Sequence, residues 1–554
     1  MNLRRLRAAA LAVGLWFVFG IGLVDGCVAA TLTSTVADSA EGQAIYRRGV
    51  LQSGANLQGE RLDGVPLSGA AAACVACHRP SGLGQSEGRI VVPPVTETYL
   101  FRTPGGKAQD MDFRYMPGFR PSRLPYRDDQ ALAHAIRDGI GRAGQPLGSL
   151  MPRYALDDRA MASLIAYLKT LSAVTPPGVT ADTLHIATII TPDADPKQRQ
   201  GMLEVLEKFF ADKNAFVRGG SRTIQSSREI VYRVTRRWQL HVWELQGSPD
   251  TWEAQLRKFQ ATQPVFAVLS GLGGATWQPV HRFCEAAALP CLMPNVDLPV
   301  DAETDFYPLY FSKGVLLEAQ LMLARLGQQA PNNGATHVVQ LAREGDIGRD
   351  AAAALQAGAA TAGFSVSTRL LSTHEGAGAI AATLRGLRAG ETLVLWLRPA
   401  DLQALGTAPP PGVNVLVSGL MGGLEAAPLP VAWRGVSLMS YPMDLPEARR
   451  IRLNFALSWF KIRQIPMLDE RVQADTYLAC GVLSETLNEM LDSFYGDYLV
   501  ERIEMMISRR VLSGHYPRFG LAPGQRFLSK GGYLVRFAES DGIKVTADGD
   551  WIVP

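Results

Sequence analysis

From Leu184 to about Arg510 the chain alternates between short, nearly unbroken apolar runs and segments with apolar residues every three or four positions. "LHIATIIT" predicts a strand and "KQRQGMLEVLEKFFADKNA" the helix after it. The same alternation recurs in "VFAVLSG" and "TWQPVHRFCEAAAL", in "PCLMPNV" and "GVLLEAQLMLARLG", and in "THVVQLA" and "GRDAAAALQAGAATAG". It continues in "SVSTRLL" and "GAIAATLRGLRAG", then in "TLVLWLR" and "ADLQAL". Strands apolar on both faces and joined by helices belong in parallel sheets covered on each side. There are more units than one small sheet needs, so two α/β lobes are expected over 184–514. The last stretch, 515–554, reads as short strands joined by glycine turns, a β-rich tail packed on the lobes.

Residues 39–173 have a different texture, rich in Gly, Pro and Arg with a helical pattern at each end. "VTPPGVTADT" separates the two parts as a linker over 174–183, because Pro176, Pro177 and Gly178 cannot continue a helix. At 554 residues the chain is too long for one ordinary core, so several domains are expected. The net charge of +3, with no long basic run, leaves no electrostatic footprint for nucleic acid.

The first thirty residues carry an address. A basic "MNLRRLR" precedes the apolar run "AAALAVGLWFVFGIGLV", short for a membrane span, and small residues follow. Cleavage after Ala30 makes 1–30 a signal peptide and sends the chain to the periplasm. Two alternatives stand: lipidation at Cys27, for which Asp25 makes a poor recognition site, and retention of the run as an uncleaved anchor. The anchor is the one membrane contact expected. Export would permit disulfides. Cys284 and Cys291 are placed for either a short-loop disulfide or two buried thiols, and Cys480 falls in an apolar helical pattern.

Candidate chemistry concentrates in "AAACVACHRP". Cys-x-x-Cys-His is the attachment signature of c-type haem. Cys74 and Cys77 can bond two vinyl groups on one porphyrin edge, and His78 can reach the iron from one face. A zinc site needs a second ligand pair, and the other cysteines are too scattered to supply one. A thioredoxin-type motif needs a preceding strand, which is missing here. A sixth ligand is most often Met. Met116 and Met151 both precede Pro in loops, whereas Met161 and His134 fall inside helical patterns that suit packing or surface roles. Arg114, Arg120, Arg123 and Arg127 cluster between the ligands, either as a solvated basic loop or with one member pairing a haem propionate.

This part resembles the class I cytochromes c. Gly42 and Tyr46 stand where the family's first helix has a Gly and an aromatic, and Tyr167 where its last helix carries the crossing aromatic. Met151–Pro152 precedes that last helix, as the family's Met ligand does. The resemblance implies an all-α domain over 39–173 holding one covalent haem c, bound by Cys74 and Cys77 and ligated by His78 and Met151. It also implies that a carbonyl of Pro93 or Pro94 orients the imidazole.

From Leu184 onward the chain resembles the type I periplasmic binding proteins of branched-chain amino acid transporters. "IATIITPDADPKQRQGMLEVLEKFF", "AVLSGLGGATWQPVHRFCEAAALPCLMPNV", "LAREGDIGRDAAAALQAG" with Gly348, and "ADTYLACGVLSETL" with Asp475 and Tyr477 carry it. In open α/β sheets ligands lie beyond the carboxyl ends of the strands. That makes Gly273, Thr276, Trp277, Asn295 and Asp297 the candidate cleft, although the family's Ser/Thr-rich carboxylate loop is not recognisable here. The fold class expected is therefore multidomain: an all-α cytochrome followed by a two-lobed α/β domain. The function expected is electron transfer with a periplasmic dehydrogenase or oxidase, the second domain docking a partner or binding a small molecule. The alternative is a solute receptor of the transporter type carrying an accessory haem. No hydrolytic triad, zinc-helix motif or phosphate loop is present, so the chain is expected to be a carrier rather than an enzyme, with catalysis at the haem left open.

Overall fold

The structure is a computed structural model and describes residues 39–554 except 88–89, 102–123, 218–222, 227–228, 233–235, 303, 334–336, 491–492, 510–512 and 539–543. The predicted leader, Cys27, Met116, Arg114, Arg120 and Arg123 lie outside the described residues. The chain divides into two compact units that part between Ala173 and Val174. Among the described residues no helix is long and apolar enough to cross a membrane.

The first unit is built on a helix crossing. Residues 39–48 form its opening helix and Asp158–Leu168 its closing one. Asp157 caps the closing helix by accepting the Ala160 N–H at 2.7 Å. Gly42 sits at the crossing: a Cβ there would fall 2.0 Å from the Ser163 carbonyl oxygen and 2.7 Å from the Tyr167 Cβ. The backbones can therefore meet only over glycine. Beside it, the rings of Tyr46 and Tyr167 pack 5.4 Å apart. A third helix, Asp129–Asp138, is capped by Asp128 and ended by Gly139 in the left-handed conformation. His134 lies exposed on it, bonded to Asp138. Met161 is buried in the core with Leu164, Ile165 and Leu168.

The unit is not all-α. Gln58–Glu60 pairs antiparallel with Pro66–Ser68 on one side and Arg153–Tyr154 on the other. Asp63–Gly64 is the turn between the first two strands, with the Gly64 N–H donating to the Arg61 carbonyl at 2.9 Å. Asp-Gly between short apolar runs is a hairpin signal that favours strands over helix here.

In the second unit the predicted strand–helix pairs assemble into two sheets. The first has five parallel strands in spatial order Pro308–Leu309, Cys291–Leu292, Ala267–Leu269, Thr183–Ile190, Arg237–Glu244. The second has five parallel strands, Ser365–Leu371, His337–Arg343, Thr392–Trp396, Asn414–Ser418 and Ser437–Tyr441. Counted in chain order within its lobe, each sheet runs 2-1-3-4-5, the doubly wound topology. "RWQLHVWE", absent from the sequence expectations, forms the edge strand Arg237–Glu244 of the first sheet. Its only buried side chains are Trp238 and Trp243, and its other positions are half-buried or exposed. The tail adds Tyr533–Phe537 and Val545–Ala547 antiparallel to the second sheet. On its way it runs beside the first sheet: Tyr310 N–H donates to the Arg526 carbonyl at 2.9 Å, and Leu528 N–H to the Tyr310 carbonyl at 3.0 Å. Cys284 and Cys291 are joined in a disulfide with Cα atoms 6.1 Å apart. Cys480 is buried in the helix Glu470–Met490.

Candidate haem and ligand sites

A short helix, Val75–His78, presents the attachment motif, with Cys74 at its N-cap. Cys74 is half-buried against the core, Cys77 is exposed and His78 is buried. Burial pushes the Cys74 thiol up to about 12, which keeps it protonated. The chain then doubles back through the hairpin of Gln85–Glu87 and Ile90–Val92. This returns Pro93 to the helix, and the Pro93 carbonyl lies 2.8 Å from His78 Nδ1. Of the two candidate prolines, Pro93 makes the contact. Burial lowers the imidazole pKa, only partly opposed by the Pro93 bond, so the ring is neutral at physiological pH. A neutral ring whose Nδ1–H donates to a carbonyl carries its lone pair on Nε2, the form that binds a metal.

The approach of Pro93 depends on Gly84. Its φ is +75°, and a Cβ there would fall 2.2 Å from the Val92 carbonyl oxygen and 2.9 Å from the Pro93 carbonyl carbon. The Gly84 N–H also donates to the His78 carbonyl at 3.2 Å. The helix crossing supports the same turn, since Tyr46 Oη donates to the Arg79 carbonyl at 2.7 Å. Met151 lies in the loop before the closing helix and packs, half-buried, on the core that also takes Cys74. The strand that follows it, Arg153–Tyr154, is fixed by Tyr154, whose hydroxyl donates to the Ala72 carbonyl at 2.8 Å, at the entrance to the motif. Two thiols and a neutral imidazole on one turn are the attachment set of a covalent haem c. The residues present fit that group. Arg127 extends into solvent beside Asp128 at 2.8 Å, a solvated surface pair. Arg142, which the sequence did not single out, lies over Tyr99 and Tyr126 and donates to the Leu124 and Tyr99 carbonyls.

A small cavity in the second unit is lined by Asn295, Asp297, Ser312, Arg471, Asp475 and Tyr516 among others. Two of the sequence-selected residues line it, Asn295 and Asp297. Three do not. Trp277 is buried in the core with Phe283 and Leu256, and Gly273 packs directly on its ring. Thr276 instead accepts the Gln278 N–H at 3.3 Å, closing a turn. The charges at the cavity are paired. Arg471 donates to Asp297 at 2.7 Å, and His515 Nδ1 lies 3.0 Å from Asp475. Burial opposes the charge on His515, but Asp475 first and Glu470 next outweigh it and raise its pKa above the ordinary value. Asn295 is held in place, its Nδ2 donating to Ser270 Oγ at 3.0 Å and to Thr476 Oγ1 at 3.3 Å.

Next to this cavity, Glu318 is wholly buried on the helix Val315–Asn333. Its carboxyl accepts the N–H groups of Gly419 and Leu420 at 2.8 and 3.0 Å and the Ser440 hydroxyl at 2.8 Å, and it bonds Ser418. Leu420 itself lines the cavity. Burial pushes the Glu318 pKa up to about 7 despite these four bonds.

A haem-attachment turn on one unit and a doubly wound pair of lobes on the other define a haem protein joined to a binding-protein fold. A family model described as Cytochrome c matches residues 68–172, so this part of the chain is a cytochrome c domain. The rest is similar in structure to substrate-binding proteins of ABC transporters. One, from Aeropyrum pernix, has 12% identity and a TM-score of 0.50, covering 67% of this chain and 96% of that one. A branched-chain amino acid ABC transporter from Thermus thermophilus with bound valine has 12% identity and a TM-score of 0.49, covering 68% and 98%. A fatty acid ABC transporter substrate-binding protein from Thermomonospora curvata has 14% identity and a TM-score of 0.48, covering 69% and 95%. The Aeropyrum pernix likeness shows the fold alone. No curated protein matches the chain.

Proposed function

We propose that the chain is an exported, single-haem c-type cytochrome that carries electrons in the periplasm, its second domain serving to dock a partner or bind a small ligand. The observation that supports this best is the neutral, buried His78 held by the Pro93 carbonyl directly beside Cys74 and Cys77. The cysteine thiols would hold the group through thioethers, His78 would bind one face of the iron and Met151 the other. Bound haem would supply a one-electron ferric–ferrous couple. With Met151 closing the sixth position, the reading is of a carrier that passes electrons to or from a dehydrogenase or oxidase, not of a catalyst. The Cys284–Cys291 disulfide fits an oxidising compartment outside the cytosol.

The test is the absorption spectrum of Met151→Ala expressed with covalent haem. Loss of the Met–iron charge-transfer band, with a lower midpoint potential, is expected. An unchanged low-spin spectrum retaining that band would remove Met151 from the reading.

The cavity favours a second role, ligand binding. Asp297 is paired with Arg471 and Asp475 is bonded by His515, so both acids lining the cavity already have partners and the matching ligand is small, polar and uncharged. Such a compound should raise the melting midpoint of the parent protein, because binding only the native state stabilises it. It should do so less in Arg471→Met, where Asp297 is left without its partner. A library of small alcohols and amides that gives no shift, while charged solutes do, would overturn this assignment.

A further inference from the structure

The helix Pro446–Ile462 is buried on one side only, through Arg449, Leu453, Ala456 and Phe460. Its opposite side carries Ala448, Ile451, Phe455, Ser458 and Ile462, every one exposed. Ile451 and Phe455 are each 75% exposed and Ile462 72%, the largest apolar exposures on this helix. The spacing of the five positions is three, four, three, four, which is the seam of a helix pair. A seam about 21 Å long calls for another helix of similar length.

The charges beside the seam select the partner. Glu447 stands at its start and Lys461 at its end, both exposed, and among the described residues neither has an ion-pair partner. The neighbouring cations are used internally: Arg452 bonds Asp444 at 2.6 Å and Arg463 pairs with Asp212 at 2.7 Å. Arg450 lies away from the seam, one residue before Ile451 on the helical turn. One charge of each sign at opposite ends gives no net attraction to an anionic lipid surface or to an acidic protein. It does give self-complementarity. The midpoint of Glu447 and Lys461 is Asn454, that of Ala448 and Ile462 is Phe455, and that of Ile451 and Ser458 lies between those two. A two-fold axis there sets Glu447 against Lys461 of a second copy at both ends, places apolar residues between them and lets two Asn454 amides meet. This is the isologous pattern of a cyclic dimer.

We propose that the chain self-associates in solution through the seam Ala448, Ile451, Phe455, Ser458 and Ile462, antiparallel and two-fold, with Glu447–Lys461 pairs closing its ends. Sedimentation velocity of the full-length haem-loaded protein across a concentration series tests it. A monomer–dimer equilibrium is expected. Phe455→Asp should raise the dissociation constant at least about tenfold, with an unchanged haem spectrum and melting midpoint because the position is exposed. Glu447→Lys and Lys461→Glu should each weaken the dimer, and the double exchange should restore it. A monomer at every concentration, a dimer indifferent to Phe455→Asp, or no rescue by the double exchange would each overturn the proposal. Tighter association with anionic vesicles than with itself would overturn it in favour of a membrane.

Discussion

Replacing Gly84 by alanine is expected to destabilise the cytochrome domain by about 2–4 kcal/mol and to raise the midpoint potential of the haem-loaded protein. Two effects combine at this position. The backbone is left-handed, φ +75°, and the added methyl would meet the Val92 and Pro93 backbone rather than a yielding side chain. The hairpin must therefore move away from His78, and the Nδ1–Pro93 bond lengthens. An imidazole that loses a carbonyl acceptor becomes a poorer electron donor, so the reduced state gains relative to the oxidised one. Gly54→Ala is the control. Its φ is +82°, yet nothing lies within 4 Å of the added methyl. It should cost only the backbone strain, about 1 kcal/mol, and leave the potential alone. Equal potentials in the two variants would show that Pro93 does not tune the imidazole.

The second large effect concerns pH. Glu318 has a folded-state pKa of about 7 against an ordinary 4.5, so the folded protein holds this proton more tightly than the unfolded chain does. For a group raised in this way, the stabilisation is complete below about pH 4.5 and is lost as pH rises through about 7. Glu318→Gln reproduces the protonated state, because an amide can still accept from Gly419 and Leu420 while donating to Ser418. Its denaturant midpoint should be near the parent's at about pH 5 and exceed it at about pH 8.5 by the equivalent of about 2–3 kcal/mol. Glu318→Ala should be destabilised at both, by about 3 kcal/mol or more, since two backbone N–H groups lose their acceptor. A parent and Gln variant that run parallel across this range would place the Glu318 pKa back at its ordinary value.

Much of this was legible in the residues. Cys74, Cys77 and His78 are adjacent in sequence, so their chemistry does not wait for the fold. Gly42, Tyr46 and Tyr167 were readable only through the family resemblance, and the structure gives the reason: the helix crossing demands one small residue and packs the aromatics beside it. Near-continuous apolar strands announced the two parallel sheets. The edge strand Arg237–Glu244 was passed over because its polar residues break up the near-continuous apolar run that marks the other strands. Arg471 and Tyr516 reach the cavity from the last quarter of the chain, and no local pattern links them to Asp297. Glu318 did leave a signal. It interrupts "VLLEAQLMLARL" at a position where every helical neighbour is apolar, the kind of local conflict that marks a special site. Trp277 misled in the opposite direction: a glycine-rich loop beside an aromatic reads as a cleft, yet Gly271 and Gly273 make room for the indole.

The tail has an implication for how the molecule is made. Residues Arg526–Leu528 lie along the first sheet, and Tyr533–Phe537 covers what would otherwise be the open edge strand Ser437–Tyr441 of the second. Both sheets thus borrow an edge from one stretch, Arg526–Phe537, made well after the strands it covers. A chain that stops short of Gln525 leaves two rows of bare backbone donors and acceptors, the template for aggregation. The second unit therefore reaches its finished form only after Arg526–Phe537 has been made. That timing is compatible with a chain threaded unfolded across a membrane before it closes.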